Sequence, residues 1–228
     1  RGVSGERGAA YVYVRNGSSW TQQAKLMASD GVTTDRFGNS VALSGDTALV
    51  GAPEADVNGI VNDGAAYVFV RVGTTWTQQA KLIISQSATS GRSSGGAVAL
   101  AGDTAVVGAI GTPAIGSSVQ GAAYVYVRTG TTWSLQATLT ANDPLGGAGF
   151  GSGLALEGNN LLVGAMANVP GGALAGAAYV FVRSGSTWTQ QAKFWASDPS
   201  GFSGFGGAGK VSLSGGTALI SQNGEGAY

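Results

Sequence analysis

One motif recurs at nearly constant spacing along this chain and limits what the chain can fold into. The stretch GAAYVFVRVGTTWTQQAKL begins at Gly64. It returns as GAAYVYVRNGSSWTQQAKL from Gly8, as GAAYVYVRTGTTWSLQATL from Gly121 and as GAAYVFVRSGSTWTQQAKF from Gly176. Its tryptophans, Trp20, Trp76, Trp133 and Trp188, follow one another at steps of 56, 57 and 55 residues. A stub of a fifth copy, EGAY, closes at Tyr228. A fixed period of this size is the signature of a repeat architecture, in which each unit buries its apolar face only against a neighbour.

Each repeat reads as four strands. The first, Phe37 to Gly45, is short and apolar, with small residues that allow close backbone approach. A turn at Ser44-Gly45-Asp46 leads to the second, DTALVGAP. The third, AAYVFVR, is rich in β-branched and aromatic residues. A glycine turn joins it to the fourth, TWTQQAKL, which reads as alternating, with Trp, Gln, Ala and Leu on one face and Thr, Gln and Lys on the other. No segment holds a helical period over ten residues, so the chain is all-β. Four-stranded antiparallel meanders repeated in series predict a β-propeller. The competing stacked solenoid usually has shorter repeats.

The chain reads as a single domain over 1–228, with complete blades at about 37–86, 94–141 and 150–196. It opens on a third and fourth strand (8–28) and ends on a first and second (205–222). The two halves add up to one more blade, giving four blade-equivalents with one blade shared by the termini. NGEGAY at the end duplicates SGERGAAY near the start, which fits an excerpt of a longer propeller instead. The opening on Arg1 points to a processed or excerpted chain.

Composition narrows function mostly by exclusion. Twelve basic side chains balance twelve acidic ones, so the basic excess that nucleic-acid binding needs is missing. There is no Cys, which excludes disulfides and thiolate metal sites. No apolar run approaches the roughly 20 residues that span a bilayer. The chain also lacks His, so the commonest general base is absent together with the thiolate nucleophile. A non-enzymatic protein is expected.

Phe37-Gly38 followed by VALSGDTALV and Gly51-Ala52-Pro53, then GAAYVFV, resembles the FG-GAP repeat of integrin α-subunit heads and many bacterial surface proteins. Phe150-Gly151 with Gly164-Ala165-Met166 keeps most of the pattern. Ser94 replaces the Phe in the second blade, though Gly95 and Gly108-Ala109 remain. In the last copy Phe205-Gly206 sits two residues further from its strand, and Ser221-Gln222 replace the Gly-Ala. The resemblance implies a propeller, usually of seven blades, that binds proteins or glycans outside the cell. It also implies calcium in a D-x-D-x-D-G-x-x-D loop between first and second strands. Here that connection is the short Ser-Gly-Asp turn, which cannot supply the six to eight oxygens calcium takes.

One calcium-like spacing lies elsewhere, between the second and third strands. Glu54, Asp56, Asn58, Gly59 and Asn62 form E-x-D-x-N-G-x-x-N, with oxygen donors alternating around a glycine bend. The alternative is a polar turn rich in Asx residues. The repeated tryptophans read as sugar-stacking platforms or, more simply, as packing between blades. Trp195 belongs to no repeat and lies beside Phe194 in FWASDPSGFSGF. In a meander the turns after strands one and three share one face and are short and uniform. The connections after strands two and four share the other, and they vary. Variable loops on a rigid frame are where recognition evolves. Trp195, Asp30, Asp35 and Asp143 are the candidate ligand residues of that face, with the Glu54–Asn62 loop.

These readings predict an extracellular binding or adhesion module, secreted or at the cell surface, with a protein or glycan ligand. The alternatives are a lectin with sugar sites between blades, a structural subunit of a surface assembly, and a propeller enzyme acting on polysaccharide.

Overall fold

The computed structural model describes residues 7–84, 94–111, 121–143, 146–168, 176–197, 204–207 and 211–222. Three four-stranded antiparallel sheets follow one another along the chain. The first holds β3 (Ser40–Ser44), β4 (Thr47–Ala52), β5 (Ala65–Val72) and β6 (Thr75–Leu82). The second holds β7 (Ser94–Ala101), β8 (Thr104–Ala109), β9 (Ala122–Thr129) and β10 (Thr132–Leu139). The third holds β11 (Gly146–Glu157), β12 (Asn160–Asn168), β13 (Ala177–Ser184) and β14 (Thr187–Phe194). Each is a simple meander, as expected of propeller blades.

The cores lie between blades. Leu49, Val68 and Leu82 of the first blade pack with Val98, Leu100 and Tyr126 of the second. Val106, Val125 and Leu139 of the second pack with Phe150, Leu161 and Tyr179 of the third. The second strand is buried along its whole length in the first two blades, which explains why it reads as an unbroken apolar run. First strands of successive blades lie against one another, which places them at the inner edge.

The repeated Phe-Gly and Gly-Ala dipeptides owe their identity to this stacking. The glycine that opens each third strand makes a parallel bridge to the next blade: Gly64 to Ser94, Gly121 to Phe150, Gly176 to Phe205. Gly108 of the second blade lies against the Gly151 carbonyl of the third, so close that a Cβ there would overlap it. Phe37 and Phe150 then fill their own blades, with Phe37 edge-on to Tyr67 at 5.5 Å and Phe150 at 5.3 Å from Tyr179.

The fourth strand departs from strict alternation. A β-bulge interrupts the pairing of β6 with β5, so Phe69 faces Gln78 while Val68 faces Ala80, and Gln79 stands unpaired between them. The extra residue turns the Gln79 amide toward the next blade, where its Oε1 accepts the Trp133 indole N–H at 2.9 Å. Gln136 does the same for Trp188 at 3.0 Å and Gln23 for Trp76 at 2.9 Å. The tryptophan series is therefore an interblade fastening. Trp188 is 9% exposed, whereas Trp20, with no blade before it among the described residues, is 65% exposed.

At the two ends, β1 (Ala10–Asn16) pairs with β2 (Ser19–Leu26), and β15 (Val211–Ser214) pairs with β16 (Thr217–Ile220). These are separate two-stranded sheets. The pairing of β16 with β1 that a shared blade requires is not formed among the described residues, and the faces it would cover stay open.

Candidate functional site: the variable-loop face

The two faces of the blade stack differ in how they are built. On the short-turn face each third-strand arginine repeats one contact set. Arg71 Nε donates to Asp46 at 2.7 Å, Arg128 to Asp103 at 2.7 Å and Arg183 to Asn159 at 2.9 Å. Each guanidinium also lies over the tryptophan of its own blade, at 5.3–5.5 Å. Arg128 and Arg183 reach back to Thr47 and Thr104 of the preceding blade. This face is uniform and engaged with itself.

The opposite face carries the candidate residues, and the structure gives each a place. Asp30 pairs with Lys81 at 2.6 Å, and the Tyr67 hydroxyl lies beside it. Asp143 pairs with Lys193 and accepts the Tyr179 hydroxyl at 3.1 Å. The two carboxylates are thus one repeated device, in which an aspartate from the interblade loop caps the tyrosine and lysine of the next blade. Asp35 is 3% exposed; its Oδ2 accepts the Val32 N–H at 2.9 Å, and its backbone carbonyl accepts the Glu54 N–H. All three aspartates thus have partners within the protein, while Asp30 stays half exposed and the second carboxylate oxygen of Asp35 is buried without one. Trp195, by contrast, is 60% exposed, with Lys193 Nζ 5.6 Å from its ring centre. Much of the connections 84–94, 109–120, 166–175 and 195–204 lies outside the described residues.

The Glu54–Asn62 loop is organised by its own hydrogen bonds. Val57 and Ile60 exchange backbone bonds of 3.0 and 2.9 Å around Asn58-Gly59. Both turn residues have positive φ, 52° and 79°, as a type I′ hairpin turn requires. Asp56 Oδ1 accepts the Asn62 N–H at 2.9 Å, and Glu54 pairs with Arg36 at 3.0 Å. Two of the candidate cation ligands, Glu54 and Asp56, thus have partners within the protein, as a polar turn rich in Asx residues gives them. Among the described residues no three acidic side chains gather as a metal site.

A feature the sequence reading missed lies at the inner edge of this face. A cavity of about 250 Å³ opens between the first three blades. Its wall repeats by position but not by residue. Asn39, Gly96 and Ser152 each follow the Phe-Gly position, and Pro53, Ile110 and Met166 each follow the Gly-Ala. The Arg36–Glu54 pair stands at its rim. Comparing the repeats inside the chain could have found it, since these are variable positions flanking invariant dipeptides.

The buried tyrosines give this face a pH signature. Burial raises the phenol of Tyr67 well above its ordinary value, helped by the Asp30 and Asp35 charges. Burial does the same at Tyr126, and burial with Asp143 at Tyr179. For Asp30 burial pushes upward, but the Lys81 ammonium bonded to it and the nearby Tyr67 hydroxyl outweigh it and the carboxyl lies below its ordinary value. A phenol raised in the folded state contributes stability that is complete below its unfolded pKa, about 10, and is lost as pH rises past it. The Asp30 contribution has the opposite sense and is lost in acid. We expect Tm to hold from neutrality to about pH 9 and to fall steeply above about pH 10. Thermal melts across that range, with phenolate absorbance, check it; a flat Tm to pH 11 contradicts it.

Comparison with known proteins agrees with this geometry. The FG-GAP repeat family model matches residues 20–69, 76–126 and 133–181. Each match runs from the tryptophan of one fourth strand to the third strand of the next blade. No curated protein matches the chain. Among solved structures, TolB from Acinetobacter baumannii is similar at 12% identity and a TM-score of 0.43, over 93% of this chain and 45% of that one. The chain therefore spans less than half the length of that structure. The three family matches cover more than half of the chain, and the chain belongs to the FG-GAP repeat family, built as β-propeller blades.

Proposed function

We propose that this chain is a non-enzymatic binding module, secreted or displayed at the cell surface, that engages a protein or glycan through its variable-loop face. The observation that carries the reading is the contrast between faces. On the short-turn side the arginine contact recurs three times with little change. On the loop side equivalent positions around one cavity hold Asn39, Gly96 and Ser152, then Pro53, Ile110 and Met166. A rigid frame with one invariant and one diversified face suits recognition better than catalysis. FG-GAP membership supports a binding module and favours a place outside the cell. The even balance of charge favours ligands held by hydrogen bonds and apolar contact over polyanions.

Trp195 is the strongest single contact on this face, since an exposed indole beside a fixed ammonium offers stacking and a hydrogen-bond donor together. The test is a printed glycan array and a panel of purified cell-surface proteins, probed with the wild-type chain, Trp195→Ala, and Asp103→Ala as an opposite-face control. Trp195→Ala is expected to weaken binding at least about tenfold, as loss of an aromatic anchor does, with Asp103→Ala unchanged. Binding that is lost in Asp103→Ala and kept in Trp195→Ala places the ligand on the other face.

A further inference from the structure

The position before the Phe-Gly pair has a left-handed backbone, and two repeats fill it with glycine: Gly149 at φ 76° and Gly204 at φ 52°. The first blade holds Arg36 there at φ 53°. A side chain with a Cβ is strained in that region. The other non-glycine residues found in it among the described residues are Asn58 and Asn62, of a type that tolerates it. Arg36 has one partner among the described residues, Glu54, whose Oε1 lies 3.0 Å from its Nε. Glu54 is itself peculiar to this blade, since Gly111 and Ala167 stand at its place in the next two. An exposed ion pair contributes little to stability, and it does not offset strain that glycine avoids. Strain kept where the fold has no use for it points to function.

The Arg36 side chain is 66% exposed and stands at the rim of the cavity of about 250 Å³. The polar side chains of the wall are already tied into the frame. Asn39 Nδ2 donates to the Gly96 carbonyl at 3.2 Å, and the Ser152 hydroxyl donates to the Gly164 carbonyl at 3.3 Å. Pro53, Ile110 and Met166 make the rest of the wall apolar. One outward cation thus adjoins an apolar hollow smaller than the roughly 300–1,000 Å³ that takes a whole drug-sized ligand. Such a hollow suits one aliphatic side chain of something larger. We propose that this cavity captures the C-terminus of a protein partner. The terminal carboxylate pairs with the Arg36 guanidinium, and the last, aliphatic side chain packs against Pro53, Ile110 and Met166. The inference rests on the loop face being the recognition face.

A chain end is the occupant because of where its groups lie. In an extended segment successive side chains point to opposite sides, so an internal acid and the apolar residue next to it cannot enter one hollow together. The last residue carries its carboxylate and its side chain on the same Cα, and both reach a cation and a pocket that adjoin. Arginine matches a carboxylate with two parallel N–H donors, and Glu54 on the Nε side leaves the outer Nη edge for the ligand. No aromatic side chain lines the cavity among the described residues, so the stacking surface that suits a sugar ring is missing.

Methionine methyl NMR reads the cavity directly, because the chain has two methionines, Met166 in the wall and Met27 away from it. The probes are an acetylated tripeptide ending in leucine with its carboxylate free, the same peptide as its amide, a peptide amide with an internal aspartate beside leucine, and glucuronate. The free acid is expected to shift the Met166 signal to saturation and leave Met27 unmoved. The amide is expected to bind at least about tenfold more weakly, since it loses the charge-assisted pair. Arg36→Gly is expected to weaken binding of the free acid by a similar factor while melting no more than about 4 °C below wild type, because glycine is what the repeat otherwise uses. Equal binding of acid and amide overturns the proposal, as does a stronger response to the internal acid or to glucuronate, or none to any probe. A larger fall in the Tm of Arg36→Gly makes the arginine a structural residue and overturns it too. A panel protein held through Trp195 while Met166 stays silent leaves the loop-face reading standing and refutes this inference alone.

Discussion

Replacing Gly108 by alanine is expected to cost about 3 kcal/mol or more, at the upper end of what overpacking a core does. The added methyl has no space. It would overlap the Gly151 carbonyl oxygen and crowd the carbonyl carbon at 3.0 Å, both backbone atoms of the next blade, and a backbone cannot change rotamer to make room. Gly108 lies in β8, buried along its length, so relief would require the second and third blades to move apart along a shared core. Gly102 provides the contrast. It has a φ of 55° at an exposed turn, with nothing within 4 Å of a Cβ, so Gly102→Ala carries only backbone strain, about 1–2 kcal/mol. In a domain of this size 1 kcal/mol moves Tm by about 2–4 °C. Gly108→Ala should therefore melt roughly 6 °C or more below wild type and clearly below Gly102→Ala. The reverse order would show that the Gly-Ala glycine is kept for its torsional freedom and not for interblade contact.

The frame was legible because the repeat displays its own pattern several times. Phe37 to Leu82 aligned with Ser94 to Leu139 marks strands, turns and glycines at once, and the observed strands fall where that alignment puts them. The site was less legible, for two physical reasons. First, contacts that decide a side chain's role run between blades, across some fifty residues of sequence. Nothing near Asp30 or Asp143 announces Lys81 and Lys193 as partners, so these aspartates read as free loop carboxylates. Second, a bulge adds a residue without changing composition. The Gln-Gln pair of TWTQQAKL suits an alternating strand equally well, and only the register of β5 against β6 shows that Gln79 faces the next blade. The Asn58-Gly59 pair carried its hairpin signal in plain view, but the oxygen spacing around it suits a cation and a turn alike. The cavity at the inner edge of the loop face needed three blades in place before its wall existed.

Phe150→Ala is expected to cost about 3–5 kcal/mol, the range for deleting a buried aromatic ring. Phe150 is completely buried, with Tyr179 at 5.3 Å and Phe181 edge-on at 6.0 Å. Its removal leaves a cavity walled by the second blade on one side and the third on the other. The second blade carries a serine at this position, which raises the question of whether the ring is dispensable. Ser94 is as buried as Phe150, but its surroundings differ. Tyr126 stands where the other blades have Phe69 and Phe181, and its hydroxyl donates to the Ile83 carbonyl at 2.9 Å, a contact phenylalanine cannot make. The third blade has Phe181 and no such tie, so Phe150→Ser should be no milder than Phe150→Ala and should add an unpaired buried hydroxyl. Urea denaturation checks both, with a lower midpoint at unchanged slope if the native fold persists. A loss under about 1 kcal/mol for either variant would mean that the blades close over the gap, and that the ring sets their spacing rather than filling their core.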